Sequence, residues 1–183
     1  SLMLRVLFLV CLISLSSEVN ANNKDQIINK LKNTSNLNFD FEQNINGKIE
    51  LGNCTIQYPK KMFCEYDKKN KVMVSNGKSL VIKSNLSYYR YALNKTPLNF
   101  ILDKNFLLKK ISELNEEIIN NSLIKFTIKE NNQLIDIFFD IKNYELIGWQ
   151  TKDIYQNTAV TLLYSIKLNQ VVDEKIFKTP LQN

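Results

Sequence analysis

The feature that most constrains this 183-residue sequence is a series of short segments in which apolar residues recur at every second position. Phe39 and Phe41, for example, alternate with polar neighbours, which is the pattern of a half-buried strand. Asn46-Gly47 and Asn76-Gly77 follow two such segments, and Asn-Gly is a strong signal for a two-residue hairpin turn. Roughly ten or eleven strands can be traced in this way. Sequential antiparallel strands in that number predict a strongly curved sheet or an open barrel.

One of these strands has an irregular pattern. Its apolar residues lie first at odd positions, Ile49 and Leu51, and then at even positions, Cys54 and Ile56. A β-bulge reverses the phase of the side chains in this way, and it also bends the strand. The sequence therefore predicts a bulge at Gly52-Asn53.

The sequence predicts three short helices: Asp25–Asn33 before the first strand, and Pro97–Leu102 and Asn105–Ile111 between strands. Thr96 suits the capping position of the second helix, and its proline suits the first helical residue. A helix this short owes its stability to packing. We therefore expect it to be a mobile cover over the sheet. The last strand is expected at Lys175–Phe177, and the predicted fold class is mainly β (α+β).

The composition excludes several classes of enzyme. Histidine is absent, so a Ser-His-Asp triad, a Cys-His pair and a histidine zinc site are impossible. The sequence has only 4 glycines and no glycine-rich phosphate-binding motif. An enzymatic alternative rests on Asp136 and Asp140, which share one strand face, but the polar outer face of a strand also explains that spacing. We predict no enzymatic activity, no cofactor and no metal site.

The positive charge is spread over the chain. The formal net charge is +6, and Arg90 is the only arginine after residue 5, so lysine supplies nearly all of it. Proteins that read nucleic acids depend on arginine to form paired hydrogen bonds. The lysines lie in turns between strands, which is typical of a solvated surface. We predict no nucleic-acid partner.

Residues 1–21 have the pattern of an export signal. Arg5 is followed by the apolar run Val6–Leu15, and Val19-Asn20-Ala21 fits the small-residue cleavage rule. The run is shorter than the ~20 residues that span a bilayer. Cys11 lacks the small preceding residue of an acylation signal. We expect cleavage after Ala21, which leaves residues 22–183 as a single exported domain without an acyl anchor.

Cys54 and Cys64 are the two cysteines of that domain, and Pro59-Lys60-Lys61 between them is a plausible hairpin turn. The two cysteines can then face each other on neighbouring strands, where Cβ atoms lie ~4.5–5.5 Å apart. An exported protein with an even number of cysteines favours a disulfide. Two unpaired buried thiols are the alternative. A redox-active pair is not predicted, because C-x-x-C spacing is absent.

Several short motifs, in order, resemble the LolA family of periplasmic lipoprotein carriers. The matching residues are Phe41-Glu42-Gln43, Gly52, Tyr58-Pro59, Glu65-Tyr66, Met73–Leu80, Thr96-Pro97-Leu98 and Phe177–Pro180. The resemblance covers nearly all of residues 22–183. It implies an incomplete antiparallel β-barrel of about eleven strands with a lid of short helices. It also implies a hydrophobic cavity between barrel and lid that takes up the acyl chains of lipoproteins.

On this resemblance, two groups of residues are expected to bind acyl chains. The barrel wall would contribute Phe41, Ile56, Tyr58 and Tyr66. The lid would contribute Leu98, Phe100, Ile101, Phe106 and Leu107. Ordinary core packing is the alternative for each of them, because apolar stripes usually form cores.

The resemblance further implies a carrier that moves acylated lipoproteins from the inner to the outer membrane, located in the periplasm and monomeric. Its partners would be a lipoprotein-releasing ABC transporter of the inner membrane and, as a further candidate, an outer-membrane lipoprotein receptor. A periplasmic carrier or sensor of other lipids or glycolipids with the same half-barrel is the alternative.

Two positions depart from the family pattern. Tyr58 stands where family members commonly have an arginine that fastens the lid, and Cys64 stands where an aromatic residue is usual. The departures concern the way the lid is held more than the fold.

Overall fold

The computed structural model describes residues 22–152 and 155–183. The predicted export signal therefore lies outside the described residues. Eleven strands form one antiparallel sheet in the order β6-β5-β4-β3-β2-β1-β11-β10-β9-β8-β7. The strands are β1 (Asn36–Ile45), β2 (Lys48–Gln57), β3 (Lys61–Tyr66), β4 (Val72–Asn76), β5 (Ser79–Lys83), β6 (Tyr88–Ala92), β7 (Glu117–Ile119), β8 (Leu123–Glu130), β9 (Gln133–Asp140), β10 (Leu146–Lys152) and β11 (Thr158–Leu168). Because β6 and β7 are the two edges and do not pair, the sheet is not closed. The prediction of an incomplete barrel of about eleven strands is confirmed.

The hairpin of β1 and β2 lies at the centre of the sheet. Its turn is Asn46-Gly47, with φ of 52° and 82°, and a type I′ turn requires positive φ at both central residues. The register then runs without a shift from Ile45 opposite Lys48 to Asn36 opposite Gln57.

The predicted bulge at Gly52-Asn53 is wrong. Ile49 and Leu51 are 55% and 49% exposed on the outer face, whereas Gly52, Cys54 and Ile56 are buried on the inner face. The side-chain phase therefore never reverses, and the two outer residues are simply apolar residues in solvent. The register shift in this region lies instead between β1 and β11, opposite residues 38–40 of β1.

Gly52 is required by close packing. A Cβ atom at this position would lie 2.1 Å from the carbonyl oxygen of Glu65 and 2.7 Å from Cε1 of Phe41. Only glycine lets β3 and the aromatic ring of Phe41 approach β2 so closely.

Helices pack against the inner face of the sheet. They are α1 (Asn23–Lys32), α2 (Leu98–Ile101) and α3 (Lys104–Glu113), with a 3₁₀ turn at Leu93–Lys95 before α2. Asn22 caps α1, because its side chain accepts a hydrogen bond from the backbone N–H of Asp25 at 2.8 Å. Asp103 caps α3, because its side chain accepts from the backbone N–H of Phe106. Such caps satisfy donors that a helix leaves unpaired at its start. The three predicted helices are present with slightly different bounds. The predicted capping role of Thr96 is wrong, because its hydroxyl donates instead to the carbonyl oxygen of Leu93 at 2.8 Å.

The C-terminal segment corrects another prediction. Glu174–Phe177 is a 3₁₀ helix and not a strand. The side chain of Asp173 accepts from the backbone N–H of Lys175 at 3.0 Å, which starts a helical turn. The segment lies along the outer face, where Tyr88 donates its hydroxyl proton to the carbonyl oxygen of Pro180 at 3.1 Å. Among the described residues, no helix is long and apolar enough to span a membrane.

Cys54 and Cys64 are directly opposite each other in the β2–β3 ladder, and a disulfide joins them. Their Cα atoms are 4.1 Å apart. Both side chains are buried, at 3% and 0% exposure. The predicted pairing is therefore present in the structure.

We expect replacement of both cysteines by alanine to lower the free energy of unfolding by about 3 kcal/mol or less, because the closed loop is short. Denaturant titration of the variant and of the oxidised wild type measures the difference. Thiol labelling of denatured, unreduced protein taken from the periplasm serves as the control. Labelling of both cysteines there would contradict the pairing.

Candidate functional site

A central cavity of ≈ 180 Å³ lies between the inner face of the sheet and helix α2. Its walls are mainly apolar. The lining residues are Phe41, Gln43, Cys54, Met62, Cys64, Tyr66, Met73, Leu80, Thr96, Pro97, Leu98, Ile101, Trp149, Thr151 and Thr161. The sheet supplies most of the wall, and residues 96–101 supply the cover. We use "lid" for residues 96–113, which include α2 and α3.

Four of the nine residues expected to bind acyl chains line this cavity. Phe41 and Tyr66 are in its wall, and Leu98 and Ile101 are in its cover. The disulfide also lines the wall. The other five lie elsewhere in the hydrophobic cluster around the cavity: Ile56, Tyr58, Phe100, Phe106 and Leu107.

Four of these five residues pack in the hydrophobic core around the cavity, and the fifth, Tyr58, is described below. Ile56 is 0% exposed on β2, and Leu107 is 1% exposed on α3. The rings of Phe100 and Phe106 contact each other with centroids 5.0 Å apart, so they join α2 to α3. These side chains support the wall and the lid without lining the central cavity.

The aromatic wall of the cavity is fixed by neighbouring contacts. The rings of Phe41 and Tyr66 meet edge to face, with centroids 5.1 Å apart. The ammonium group of Lys71 lies 4.0 Å from the centroid of Tyr66 and pairs with Glu50 at 2.5 Å. Burial, and then the charge of Glu50, raise the pKa of Tyr66. The Tyr66 hydroxyl therefore stays neutral at physiological pH.

Sequence reasoning missed several lining residues. Met62, Met73 and Leu80 lie on the inner face of their strands, so the alternation alone could have identified them. Trp149, the only tryptophan in the sequence, is 4% exposed. Its ring packs edge to face on the ring of Phe39, with centroids 6.4 Å apart. Its strand contains Gly148 and polar residues, so the pattern gave no signal for it. The two methionine side chains give the wall flexible, polarizable thioether groups.

One part of the wall is polar. Gln43, Thr161 and Thr151 lie on the neighbouring strands β1, β11 and β10. The side-chain amide of Gln43 donates to the hydroxyl oxygen of Thr161 at 3.2 Å. These groups can bind an ester, amide or hydroxyl group of a ligand whose hydrocarbon part lies against the apolar wall.

The lid is attached to the sheet through Lys60. The backbone N–H of Lys60 donates to the carbonyl oxygen of Leu102 at 2.8 Å, and its ammonium group lies 3.7 Å from the carboxylate of Asp103. The carbonyl oxygen of Lys60 accepts from the buried hydroxyl of Ser75 at 2.7 Å, which ties Lys60 to β4. A further bond runs from the ammonium group of Lys104 to the carbonyl oxygen of Thr34 at 2.8 Å.

Tyr58 does not form the polar contact to the lid. Its hydroxyl oxygen is buried and has no hydrogen-bond partner among the described residues. The side chain lines a separate cavity of ≈ 20 Å³ with Leu37, Phe139 and Leu146. Burial raises the pKa of Tyr58 well above its usual range. At the position where the family resemblance implies a polar fastening, the contact is therefore made two residues later, by Lys60.

The described residues contain no group of three or more His, Cys, Asp or Glu side chains that could hold a metal ion. The carboxylates of the enzymatic alternative have structural bonds. Asp136 accepts from the hydroxyl of Thr127 at 2.6 Å, and Asp140 accepts from the backbone N–H of Lys142 at 2.7 Å. Neither carboxylate lines the central cavity.

The family model described as "Outer membrane lipoprotein carrier protein LolA" matches residues 32–180. The chain belongs to the LolA family. Proteins of this family bind lipids or lipoproteins and are carriers rather than enzymes, and they are periplasmic. No curated protein matches the chain.

Among solved structures, the chain is similar to a LolA superfamily protein from Nitrosomonas europaea, with 9% identity, coverage of 87% of this chain and 99% of that chain, and a TM-score of 0.45. The lipoprotein LppX from Mycobacterium tuberculosis matches with 11% identity, coverage of 82% and 96%, and a TM-score of 0.44. The MucA/MucB complex structure from Pseudomonas aeruginosa matches with 10% identity, coverage of 87% and 62%, and a TM-score of 0.47.

We expect Tyr58→Phe to leave the free energy of unfolding unchanged or to raise it by about 1–2 kcal/mol, because a buried hydroxyl without a partner destabilises the folded state. The wild type should also lose stability as pH rises above about 10, where the unfolded tyrosine ionises and the folded one stays protonated. The variant should lose less. Denaturant titration at neutral and alkaline pH measures both effects.

The matched control for that variant is Tyr88→Phe. The hydroxyl of Tyr88 has a partner in Pro180, so its removal should lower the free energy of unfolding by about 0.5–1.5 kcal/mol. If both variants lose the same stability, the Tyr58 hydroxyl makes a hydrogen bond in solution and the interpretation is wrong.

Lys60→Met should loosen the lid, because it removes the ion pair with Asp103 and keeps the backbone bond to Leu102. A partly exposed ion pair contributes about 0.2–1 kcal/mol, so local opening of α2 should rise by no more than about fivefold. Hydrogen exchange of α2 amides measures it. The control is Lys61→Met, whose ion pair with Glu174 at 2.8 Å lies away from the lid. Equal exchange in the two variants would contradict the role of Lys60.

Proposed function

We propose that this protein is a periplasmic carrier that binds the acyl chains of lipoproteins in the central cavity and moves them from the inner to the outer membrane. The observation that carries the proposal is the apolar cavity under a lid attached by few polar bonds. A carrier of this kind needs apolar surface and a movable cover, and it needs no chemistry. Export by residues 1–21 and a monomeric state belong to the same proposal.

The energetics of an acyl chain favour such a cavity. Each CH₂ group moved from water to an apolar site gains ~0.8 kcal/mol, so even part of a chain is bound strongly. Leu98 and Ile101 belong to the lid and line the central cavity. Their displacement by a ligand would exchange one apolar contact for another, which keeps the cost of opening small.

The partners in this proposal follow from its chemistry. A membrane-embedded acyl chain must be extracted by a protein that works at the inner membrane, for which a lipoprotein-releasing ABC transporter is our proposal. A lipoprotein receptor at the outer membrane would accept the cargo. The acylated lipoprotein itself would place its chains in the cavity.

A carrier or sensor of other lipids or glycolipids is a second candidate. The observation that favours it is the polar part of the wall formed by Gln43, Thr151 and Thr161, which suits hydroxyl groups of a lipid headgroup. Native mass spectrometry of the protein isolated from its own periplasm distinguishes the candidates. A triacylated peptide supports the lipoprotein carrier, and a phospholipid or glycolipid supports the alternative.

Trp149 provides a direct test of acyl binding, because it lines the cavity and is the only tryptophan in the sequence. A fatty acid brominated along its chain should quench the tryptophan fluorescence in a saturable way. Leu98→Ser should weaken that binding by about tenfold, which corresponds to ~1.4 kcal/mol of lost apolar contact.

The matched control for Leu98→Ser is Leu134→Ser, an exposed leucine on β9 that does not line the cavity. We expect its affinity to equal that of the wild type. Absence of saturable quenching in the wild type would refute the proposed function.

A further inference from the structure

The central cavity is small for the ligand that the proposed function requires, and the inference here rests on that function. Its volume of ≈ 180 Å³ is close to the ~150 Å³ of an engineered cavity that takes up a single benzene molecule. An acyl chain that fills one membrane leaflet is about 15 Å long, because the hydrocarbon core of a bilayer is about 30 Å thick. Most of such a chain must therefore lie outside the cavity, or the lid must move far from the sheet.

The inner face of the sheet continues beyond the cavity, towards the edge strand β6. Leu80 on β5 lines the cavity, and its partner on β6 is Tyr91. Met73 on β4 also lines the cavity, and the same row continues through Ile82 to Tyr89. Residues directly opposite in an antiparallel ladder point to the same face. The two tyrosines therefore extend the surface that begins inside the cavity.

This part of the inner face is apolar and uncovered. Tyr89 and Tyr91 are 53% and 45% exposed, although they share a face with the buried side chain of Leu80. Their rings are stacked, with centroids 6.4 Å apart and 12° between the planes. The two exposed rings together offer an aromatic surface for contact with hydrocarbon.

The outer face of the same hairpin is occupied by the chain itself. Tyr88 bonds to Pro180, and the ammonium group of Lys83 donates to the carbonyl oxygen of Leu181 at 2.7 Å. Val81 is 0% exposed on that face. The C-terminal segment therefore covers the outer side of the β5–β6 hairpin, whereas the inner side at Tyr89 and Tyr91 stays open. Of the two faces of this hairpin, the one that continues the cavity is therefore the one with the exposed aromatic surface.

We propose that Leu80, Ile82, Tyr89 and Tyr91 form a second acyl-binding surface, which we name the edge strip, and that it holds the part of a long acyl chain that extends out of the cavity. Strands lie about 4.8 Å apart, so the path from β4 to β6 adds about 10 Å of surface. That length matches the part of a leaflet-long chain that a benzene-sized cavity leaves outside.

Chain length is the property that tests the edge strip. Each fully buried CH₂ group raises the affinity about fourfold. On a surface that is open on one side, the gain in free energy should be about half as large, so each CH₂ group should raise the affinity about twofold. Octanoate should be held by the cavity alone, whereas palmitate should also reach the edge strip. Affinity for each is measured by competition with the brominated fatty acid at Trp149.

The test variant is Tyr89→Thr together with Tyr91→Thr, because threonine favours strands and is small and polar. We expect palmitate affinity to fall by about tenfold and octanoate affinity to stay within about twofold of the wild type, from the surface contact just described. The control is Tyr164→Thr, a tyrosine of 47% exposure on the outer face of β11. It should change neither affinity.

Each outcome decides between the proposals. Unchanged palmitate affinity in the double variant, or an equal loss for both acids, would overturn the edge strip while the cavity remains a binding site. Failure of the wild type to bind either acid would refute the proposed function and this inference with it.

A second measurement uses the wild type and does not depend on folding of the double variant. Palmitate with a photoreactive group at its methyl end or near its carboxylate should label Tyr89 or Tyr91 in one of the two cases, as read by peptide mass spectrometry. Labelling confined to cavity residues with both probes would also overturn the edge strip.

Discussion

An open sheet with an apolar inner face has to be covered, and most of this structure follows from how the chain does so. Eleven sequential strands bring their inner side chains to one surface, but β6 and β7 do not meet to close it. Three helices are too short to cover the whole face. They bury a dense cluster around Phe39 and Phe126, both 0% exposed, and they leave the central cavity and the region near β6 less well filled. The surface available to a ligand is the part that the chain leaves uncovered.

The strand alternation predicted a strongly curved sheet or open barrel of ten or eleven strands, because alternation is a local property. The incomplete barrel with a lid followed from the resemblance to the LolA family. Asn46-Gly47 and Asn76-Gly77 predicted two hairpins, and both are present, as β1–β2 and β4–β5. The incorrect bulge shows the limit of this reasoning. Apolar residues at Ile49 and Leu51 were assumed to be buried, but the burial of a face depends on what packs against it. The strand predicted at the C-terminal end was wrong for a related reason. A capping contact from Asp173 favours the helical backbone of Glu174–Phe177, and the alternation pattern does not detect such a contact.

The candidate site was harder to predict than the fold. Phe41, Tyr66, Leu98 and Ile101 line the cavity, while Tyr58 and Phe106 lie outside it. All of these residues are apolar and lie on inner or lid-facing positions, so periodicity does not separate them. What separates them is the exact distance between lid and wall, which depends on contacts far apart in the sequence. Lys60 is the clearest example, since its bond to Leu102 joins residues that the sequence gives no reason to pair.

The two sides of the cavity differ in the kind of bond that holds them, and this difference determines which side can open. The wall has continuous strand pairing across β2 and β3 and a covalent link between Cys54 and Cys64. The lid near the cavity has a four-residue helix, a backbone bond from Lys60 and a partly exposed ion pair. Local opening occurs in the region whose free energy of opening is smallest. A ligand should therefore enter by displacing the lid, while the wall keeps its shape.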